Sequence, residues 1–273
     1  MRAPGIHLKL KTMKKKIALI DADSLIYYEM NKPTLEEALE GIDSRINQML
    51  IETEATHYAG FLTSGKCFRY AAAKTRPYKG NRKHGNKPII FPAIKEYLRQ
   101  KWNFISVSEL EADDLVSIYH EDPFGSTVIC SPDKDVLYQN RGMHYNYGKA
   151  EMVVVDEIEA TKFLWKQVLM GDSTDGIPGI PKMGPKKSEA YLEDVNSEEC
   201  STVVLNKYIE TFGNHEGICK FAETFNLIYI LKSKKDCETL GIELQDLEIY
   251  EADMGSDNIW YKEDIIEIEN PEI

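Results

Sequence analysis

Much is missing from this sequence, and each absence narrows what the chain can be. No apolar run approaches the roughly 20 residues of a membrane-spanning helix, so no membrane partner is expected. The basic start "MRAPGIHLKLKTMKKK" lacks the apolar stretch of a signal peptide, so export is not expected either. The five cysteines (Cys67, Cys130, Cys200, Cys219, Cys237) are scattered, odd in number and without a CxxC pair. A disulfide framework or a zinc site is therefore not expected, and a reducing cytoplasm fits best. None of the six histidines has zinc-motif spacing, and His84 reads as a solvated loop residue. There is no internal repeat and no low-complexity segment.

What is present is ordinary for a soluble globular protein: 273 residues, 42% apolar and 29% charged, enough for one large domain or two small ones. The net charge of −12 argues at first against a nucleic-acid partner, but it is unevenly spread. Residues 233–273 hold thirteen acidic residues and three lysines and so carry −10 of it. The body is nearly balanced and free to carry basic patches. The acidic end reads as solvated surface or tail, with a protein-binding role as the sharper alternative. Residues 1–12 read as a basic extension, because "MKKKIALID" from Met13 suits a strand-first domain.

Along the chain, "KKKIALIDADSLIYY" predicts a buried strand ending at Asp21, and "HYAGFLTS" a second. "TLEEALEGIDSRINQMLIET" has helical spacing, with Leu35, Leu39, Ile42, Ile46 and Leu50 on one face. "AAAKTRPYKGNRKHGNKP" is a basic loop. A helix follows Pro92, then a short strand "FISVS", and "ELEADDLVSIYHED" is a helix with carboxylates in its first turn. "STVICSPDKDVLYQ" is a strand, a turn and a new segment, and "EMVVVD" marks another strand. This alternation implies an α/β fold: a mostly parallel central sheet with helices on both faces. From about Glu157 the pattern turns helical ("ATKFLWKQVLM", "PKKSEAYLED", "EGICKFAETFNLIYIL"). The expected organisation is a 13–160 α/β domain, a 161–232 helical region and a 233–273 acidic segment.

Ligands of open parallel sheets bind at the carboxyl ends of the strands. Four acidic groupings fall there or just beyond: Asp21 with Asp23; Glu111, Asp113 and Asp114; Asp133 and Asp135; Asp172 and Asp175. One such pair is weak evidence, since aspartate is common in turns and helix caps. Together they demand a counter-ion, because like charges about 4 Å apart repel by roughly 4 kcal/mol at an effective dielectric near 20. Oxygen-only donors suit Mg²⁺ or Mn²⁺, and two such ions can serve phosphodiester hydrolysis. Two basic elements accompany them. "RPYKGNRK" puts Arg76, Tyr78, Lys79, Arg82 and Lys83 in one loop, either simply solvated or a phosphate clamp with an aromatic platform. In "GIPGIPKMGPKK", Gly179 and Gly184 allow close approach to a phosphate, and Lys182, Lys186 and Lys187 add counter-charge.

In this order, "LIDADSLIY", "YKGNRK", "ELEADD", "SPDKD" and "MGDSTDGIPGIPKMGPKKSEAYL" closely resemble the flap-endonuclease-like 5′ nucleases, particularly phage 5′→3′ exonucleases and the 5′-nuclease domain of bacterial DNA polymerase I. The match covers residues 17–192. The resemblance implies a PIN/5′-nuclease-like fold with a helix–three-turn–helix DNA-binding region, and Mg²⁺- or Mn²⁺-dependent cutting at 5′ ends, flaps or nicks of DNA or of an RNA–DNA hybrid. It implies two ions, with K⁺ at the helix–three-turn–helix, and a monomer serving phage DNA replication or degradation. By position, Asp21, Glu111 and Asp113 resemble first-metal ligands, with Asp114 supporting. Asp133, Asp135, Asp172 and Asp175 resemble the second-metal group. Lys79 and Arg82 match the pair that steers the scissile phosphate, and Tyr78 lies where an aromatic stacks on the terminal base. Asp23 falls outside the essential set and reads as a turn residue. One departure stands out: many members carry an aspartate at the end of the second strand, where this chain has Thr63 and Ser64. A high metal requirement is the expected consequence.

Two readings compete. "IALIDADSLIY" and "GDSTDG" also resemble a haloacid-dehalogenase-type phosphatase, with Asp21 as nucleophile and Asp23 as acid/base. A protein that binds branched DNA without cutting is the non-enzymatic alternative. A small ribonuclease with a similar carboxylate sheet would lack the helical clamp of residues 179–192.

Overall fold

The structure, a computed structural model, describes residues 15–81 and 88–252. The run "IALID" forms β1 (Ile17–Asp21), whose apolar residues are buried on both faces, as a central parallel strand requires. It continues directly into α1 (Ala22–Glu29). Next come α2 (Leu35–Glu52), N-capped by Thr34, then β2 (His57–Phe61), the short α3 (Arg69–Ala72), α4 (Phe91–Trp102) and α5 (Ala112–Ile118). After β3 (Thr127–Cys130) and α6 (Lys134–Gln139) come β4 (Gly142–Asn146) and β5 (Glu151–Val155).

The six-stranded sheet has the order β5-β4-β3-β1-β2-β8, where β8 (Tyr250–Glu251) is the last described strand. Pairings β1–β2, β1–β3 and β3–β4 are parallel, while β4–β5 and β2–β8 are antiparallel. Helices cover both faces. Residues of α1, α2 and α4 pack with Ala18, Ile20 and Tyr58 on one side; Leu110, Leu115 and Val116 pack with Leu19 and Phe61 on the other. The carboxyl ends of β1, β2 and β3 therefore open on one edge, and the acidic groupings gather there.

The helical region starts at α7 (Glu157–Met170), closed at its N-terminus by a capping box of Asp156 and Glu159. A two-stranded hairpin, β6 (Gly171–Asp172) with β7 (Ile177–Pro178), leads to α8 (Pro185–Leu192), which begins on Pro185 as a first-turn proline should. Then come α9 (Cys200–Phe212) and α10 (Asn214–Ile228). Val168, Leu192, Val204 and Tyr208 form a separate core for this region. No helix among the described residues is long and apolar enough to cross a membrane, and all five cysteines are free.

Several expectations shift. The buried stripe of α2 is Ala38, Ile42, Ile46, Met49 and Leu50, whereas Leu35 is 37% exposed, so the inward face is rotated from the expected one. "FISVS" makes only an isolated bridge, Phe61 to Ile105. The boundary at 233 also moves: α11 (Lys234–Thr239) buries Cys237, Ile242 joins the core, and β8 adds to β2. Residues 234–252 are thus part of the α/β body despite their acidity. The basic extension 1–12 and the rest of the acidic segment lie outside the described residues.

Candidate active site

β1 delivers Asp21 to the strand end with only 1% of its surface exposed. Its Oδ1 accepts from the Asp23 amide (3.1 Å), and its Oδ2 accepts from the Ser131 hydroxyl (2.8 Å). The same Ser131 oxygen accepts from the Asp133 amide (3.1 Å), tying the ends of β1 and β3 together. Asp133 caps α6 by accepting from the Asp135 amide at 2.8 Å. Glu111 caps α5, and Asp113 lies in that helix's first turn. From the helical region, the β6–β7 hairpin brings in Asp172 and Asp175. Glu111, Asp113, Asp135, Asp172 and Asp175 line one small cavity of about 50 Å³ with Arg69, Tyr78 and Gln167.

Three of these carboxylates bind their protons more tightly than an exposed aspartate does. Burial first, then the charge of Asp23, pushes Asp21 up to about 7. Burial, then Asp133, pushes Asp135 up to about 7. Asp113 is held well above the usual carboxylate range by burial and then by Asp21 and Asp133, so three separate elements feel one another there. Positive charge enters from one side. Lys79 has a left-handed backbone (φ 55°), fixed by its amide donating to the Asp175 carbonyl at 2.8 Å. Its ammonium pairs with Glu111 and lies 3.9 Å from Asp175 Oδ2.

The donor chemistry fits a hard divalent cation: carboxylates converge with no histidine or thiol among them, and Asp135 Oδ1 is buried with no hydrogen-bond partner, lying 3.9 Å from Lys134 Nζ. Among the described residues, no three His, Cys, Asp or Glu side chains already form a closed metal-binding group. Glu111 is turned to Lys79 and Arg69, and Asp133 and Asp172 are turned to backbone amides.

No family model matches the chain. A flap endonuclease Xni from Vibrio atlanticus is 28% identical over 270 residues, covering 88% of this chain and 99% of that protein. A DNA polymerase I from Bacillus caldotenax is 27% identical over 224 residues, covering 68% of this chain; the chain spans 24% of that polymerase's length. In fold it is similar to a bacteriophage T5 protein co-crystallised with metal ions (TM-score 0.59, 17% identity, 78% of this chain and 90% of that one). In sequence the chain is similar to proteins named flap endonuclease Xni and DNA polymerase I. Of the expected site residues, Arg82 and Lys83 lie outside the described ones, while Arg76, Lys182, Lys186 and Lys187 are exposed.

Four residues differ from their sequence reading. Asp114 offers no oxygen to the cavity: it is fully buried, and both oxygens accept from Arg69 at 2.7 Å. Tyr78 is not an open stacking platform. Its ring is 5% exposed, and its hydroxyl lies 2.9 Å from Glu111 Oε2 and 3.3 Å from Asp175 Oδ2. Gly179 is needed for packing, since a Cβ there would sit 2.1 Å from the Met170 carbonyl carbon, whereas Gly184 faces open space. Asp23 is more than a turn residue: its Oδ1 accepts from the Thr63 amide at the end of β2 (3.1 Å). Arg69 was not singled out in the sequence. Its segment lacks periodicity, and its partners lie 42 to 160 residues away.

Proposed function

We propose that the chain is a metal-dependent 5′→3′ exonuclease or flap endonuclease that hydrolyses DNA phosphodiesters at 5′ ends or branch points. The observation that carries this reading is the convergence of Asp21, Glu111, Asp113, Asp133, Asp135, Asp172 and Asp175 from four elements, with Lys79 at their edge. The relatives named flap endonuclease Xni and DNA polymerase I support it.

In this reading Asp21, Glu111 and Asp113 hold one Mg²⁺ or Mn²⁺, and Asp133, Asp135, Asp172 and Asp175 hold a second. When bound, such ions supply a hydroxide nucleophile at neutral pH and offset charge on the attacking and leaving oxygens. Lys79 offsets charge that develops on the phosphate, and Tyr78 fixes the Glu111 carboxylate through its hydroxyl. The exposed Lys182, Lys186 and Lys187, with the open backbone at Gly184, grip duplex phosphates a fixed distance away. A K⁺ ion held by the 179–184 loop, a monomeric state and a role in phage DNA replication or degradation belong to the same proposal. The fold's likeness to the T5 protein supports the phage role; the sequence relatives named above are bacterial.

The phosphatase reading meets an obstacle, because an Asp21 that is 1% exposed and bonded to Ser131 is poorly placed to attack phosphorus. The test is a panel of 5′-labelled flap, nicked, blunt and RNA-primed duplexes with Mg²⁺. Mononucleotide ladders mark an exonuclease and a single junction product marks a flap endonuclease. Intact substrates throughout would overturn the proposal.

A further inference from the structure

Arg69 is 3% exposed, and its five N–H groups make five contacts. Nη1 and Nη2 donate to Asp114 Oδ2 and Oδ1, both at 2.7 Å. Nη1 also reaches Glu111 Oε2 at 3.3 Å. Nε donates to the Leu227 carbonyl (3.2 Å), and Nη2 to the Tyr229 carbonyl (2.8 Å). Asp114 in turn accepts from the Glu111 amide (3.2 Å) and the Leu231 amide (3.1 Å). One planar group thus joins the start of α5, the Glu111 carboxylate and the end of α10. That helix also holds the hairpin: Thr224 Oγ1 donates to the Pro178 carbonyl at 3.1 Å, on the strand paired with Asp172.

We infer that Arg69 is a positioning residue that sets the register between the helical duplex grip and the Glu111 end of the carboxylate cluster. The contacts form a closed path: hairpin to α10, α10 to Arg69, Arg69 to Glu111 and Asp114, and Tyr78 and Lys79 from Glu111 back to Asp175 on the hairpin. A lysine at this position keeps the charge but loses the fork that reaches both sides of the path. Loosening it moves the grip relative to the cluster, so the cut loses its fixed place on the DNA. The inference rests on the nuclease reading and adds a role for a residue outside the expected site.

The experiment compares wild type with Arg69→Lys and Asp114→Asn on a labelled 5′-flap duplex. It measures single-turnover rate, Mg²⁺ midpoint, cut position, and DNA binding without metal. The expected result for Arg69→Lys is a rate loss of about 100-fold, the scale of an ångström-sized misplacement. It comes with a raised Mg²⁺ midpoint, cuts spread over neighbouring phosphodiesters, and nearly unchanged DNA binding. Asp114→Asn gives the same signature in weaker form and carries the test if Arg69→Lys fails to fold. A purely structural ion pair would lower thermal stability and leave cut position and Mg²⁺ midpoint alone. That outcome, or loss of fold in both variants, overturns the inference. A wild type that cuts none of these duplexes would instead overturn the nuclease reading.

Discussion

Asp23 and Thr63 meet at the edge of the sheet: the Asp23 carboxylate accepts a hydrogen bond from the Thr63 amide at 3.1 Å, across forty residues of sequence. The family resemblance implies an acidic residue near Thr63 and Ser64; here the nearby carboxylate, Asp23, comes from the first turn of α1. Asp23 also raises the proton affinity of Asp21, second only to burial. Asp23→Asn keeps an acceptor for the Thr63 amide and removes the charge. The expected outcome is a several-fold higher Mg²⁺ midpoint for cleavage, weaker Mn²⁺ binding by electron paramagnetic resonance, and a higher melting temperature in EDTA. Thr63→Asp should lower the Mg²⁺ midpoint, since an oxygen at that position already accepts from the Ala112 amide at 3.0 Å. An unchanged midpoint and unchanged Mn²⁺ binding in Asp23→Asn would remove Asp23 from the site.

The carboxylate cluster predicts a pH-dependent response to metal. Asp21 and Asp135 are pushed up to about 7 from an ordinary 3.8. Each therefore binds more protons in the folded state and costs stability as pH rises from about 4 to about 7. A cation that binds only the ionised cluster repays that cost above the window. The rise in melting temperature on adding Mg²⁺ should be small at pH 5.5 and large at pH 8. Calorimetric scans at the two pH values check this, and equal increments would count against it.

Two histidines set an opposite slope. Burial pushes His120 down to about 3, helped by the neighbouring charge of His144, and pushes His144 down to about 4. Both fold neutral and charge on unfolding, so their stability contribution is complete above 6.5 and is lost as pH falls toward 4. His144→Phe should cost about 1 kcal/mol at pH 8 through its lost hydrogen bond to the Asn140 carbonyl, yet move the acid transition to lower pH. An acid transition unchanged relative to wild type would show that other groups control it.

The two glycines of the Gly/Pro segment should respond differently. Gly179→Ala forces a Cβ against the Met170–Gly171 backbone and should cost about 1–3 kcal/mol, as overpacking does. Gly184→Ala meets no neighbour and has an extended backbone, so the fold should survive while duplex binding weakens. Denaturant melts and fluorescence anisotropy with a labelled duplex separate the two effects.

What the sequence made legible follows from range. Strand β1, the helices at 35–52 and 157–170 and the placing of Asp21, Glu111, Asp113, Asp133 and Asp135 near strand ends rest on local periodicity and turn chemistry, which a linear reading can see. The acidic stretch 234–252 looked like solvated surface because its net charge dominates a linear reading, although Cys237, Ile242 and other apolar residues punctuate it. In the folded chain they bury against residues of α5 and β2, and β8 pairs with the β2 edge. Asp114 looks like its neighbour Asp113 until Arg69 claims both its oxygens. Tyr78 looks like a loop aromatic until Glu111 and Asp175 arrive from two other elements.

The most direct test of the central claim uses EDTA-stripped protein, a 5′-flap duplex, and Mg²⁺ added back to wild type and Asp133→Ala. Asp133 joins the β3 end of the cluster to Asp21 through Ser131. The account predicts no cleavage in EDTA, restored cleavage in wild type leaving a 5′-phosphate and a 3′-hydroxyl, and a loss of at least about 100-fold in Asp133→Ala with duplex binding retained. Metal-independent cleavage, or an Asp133→Ala variant as active as wild type, would contradict it.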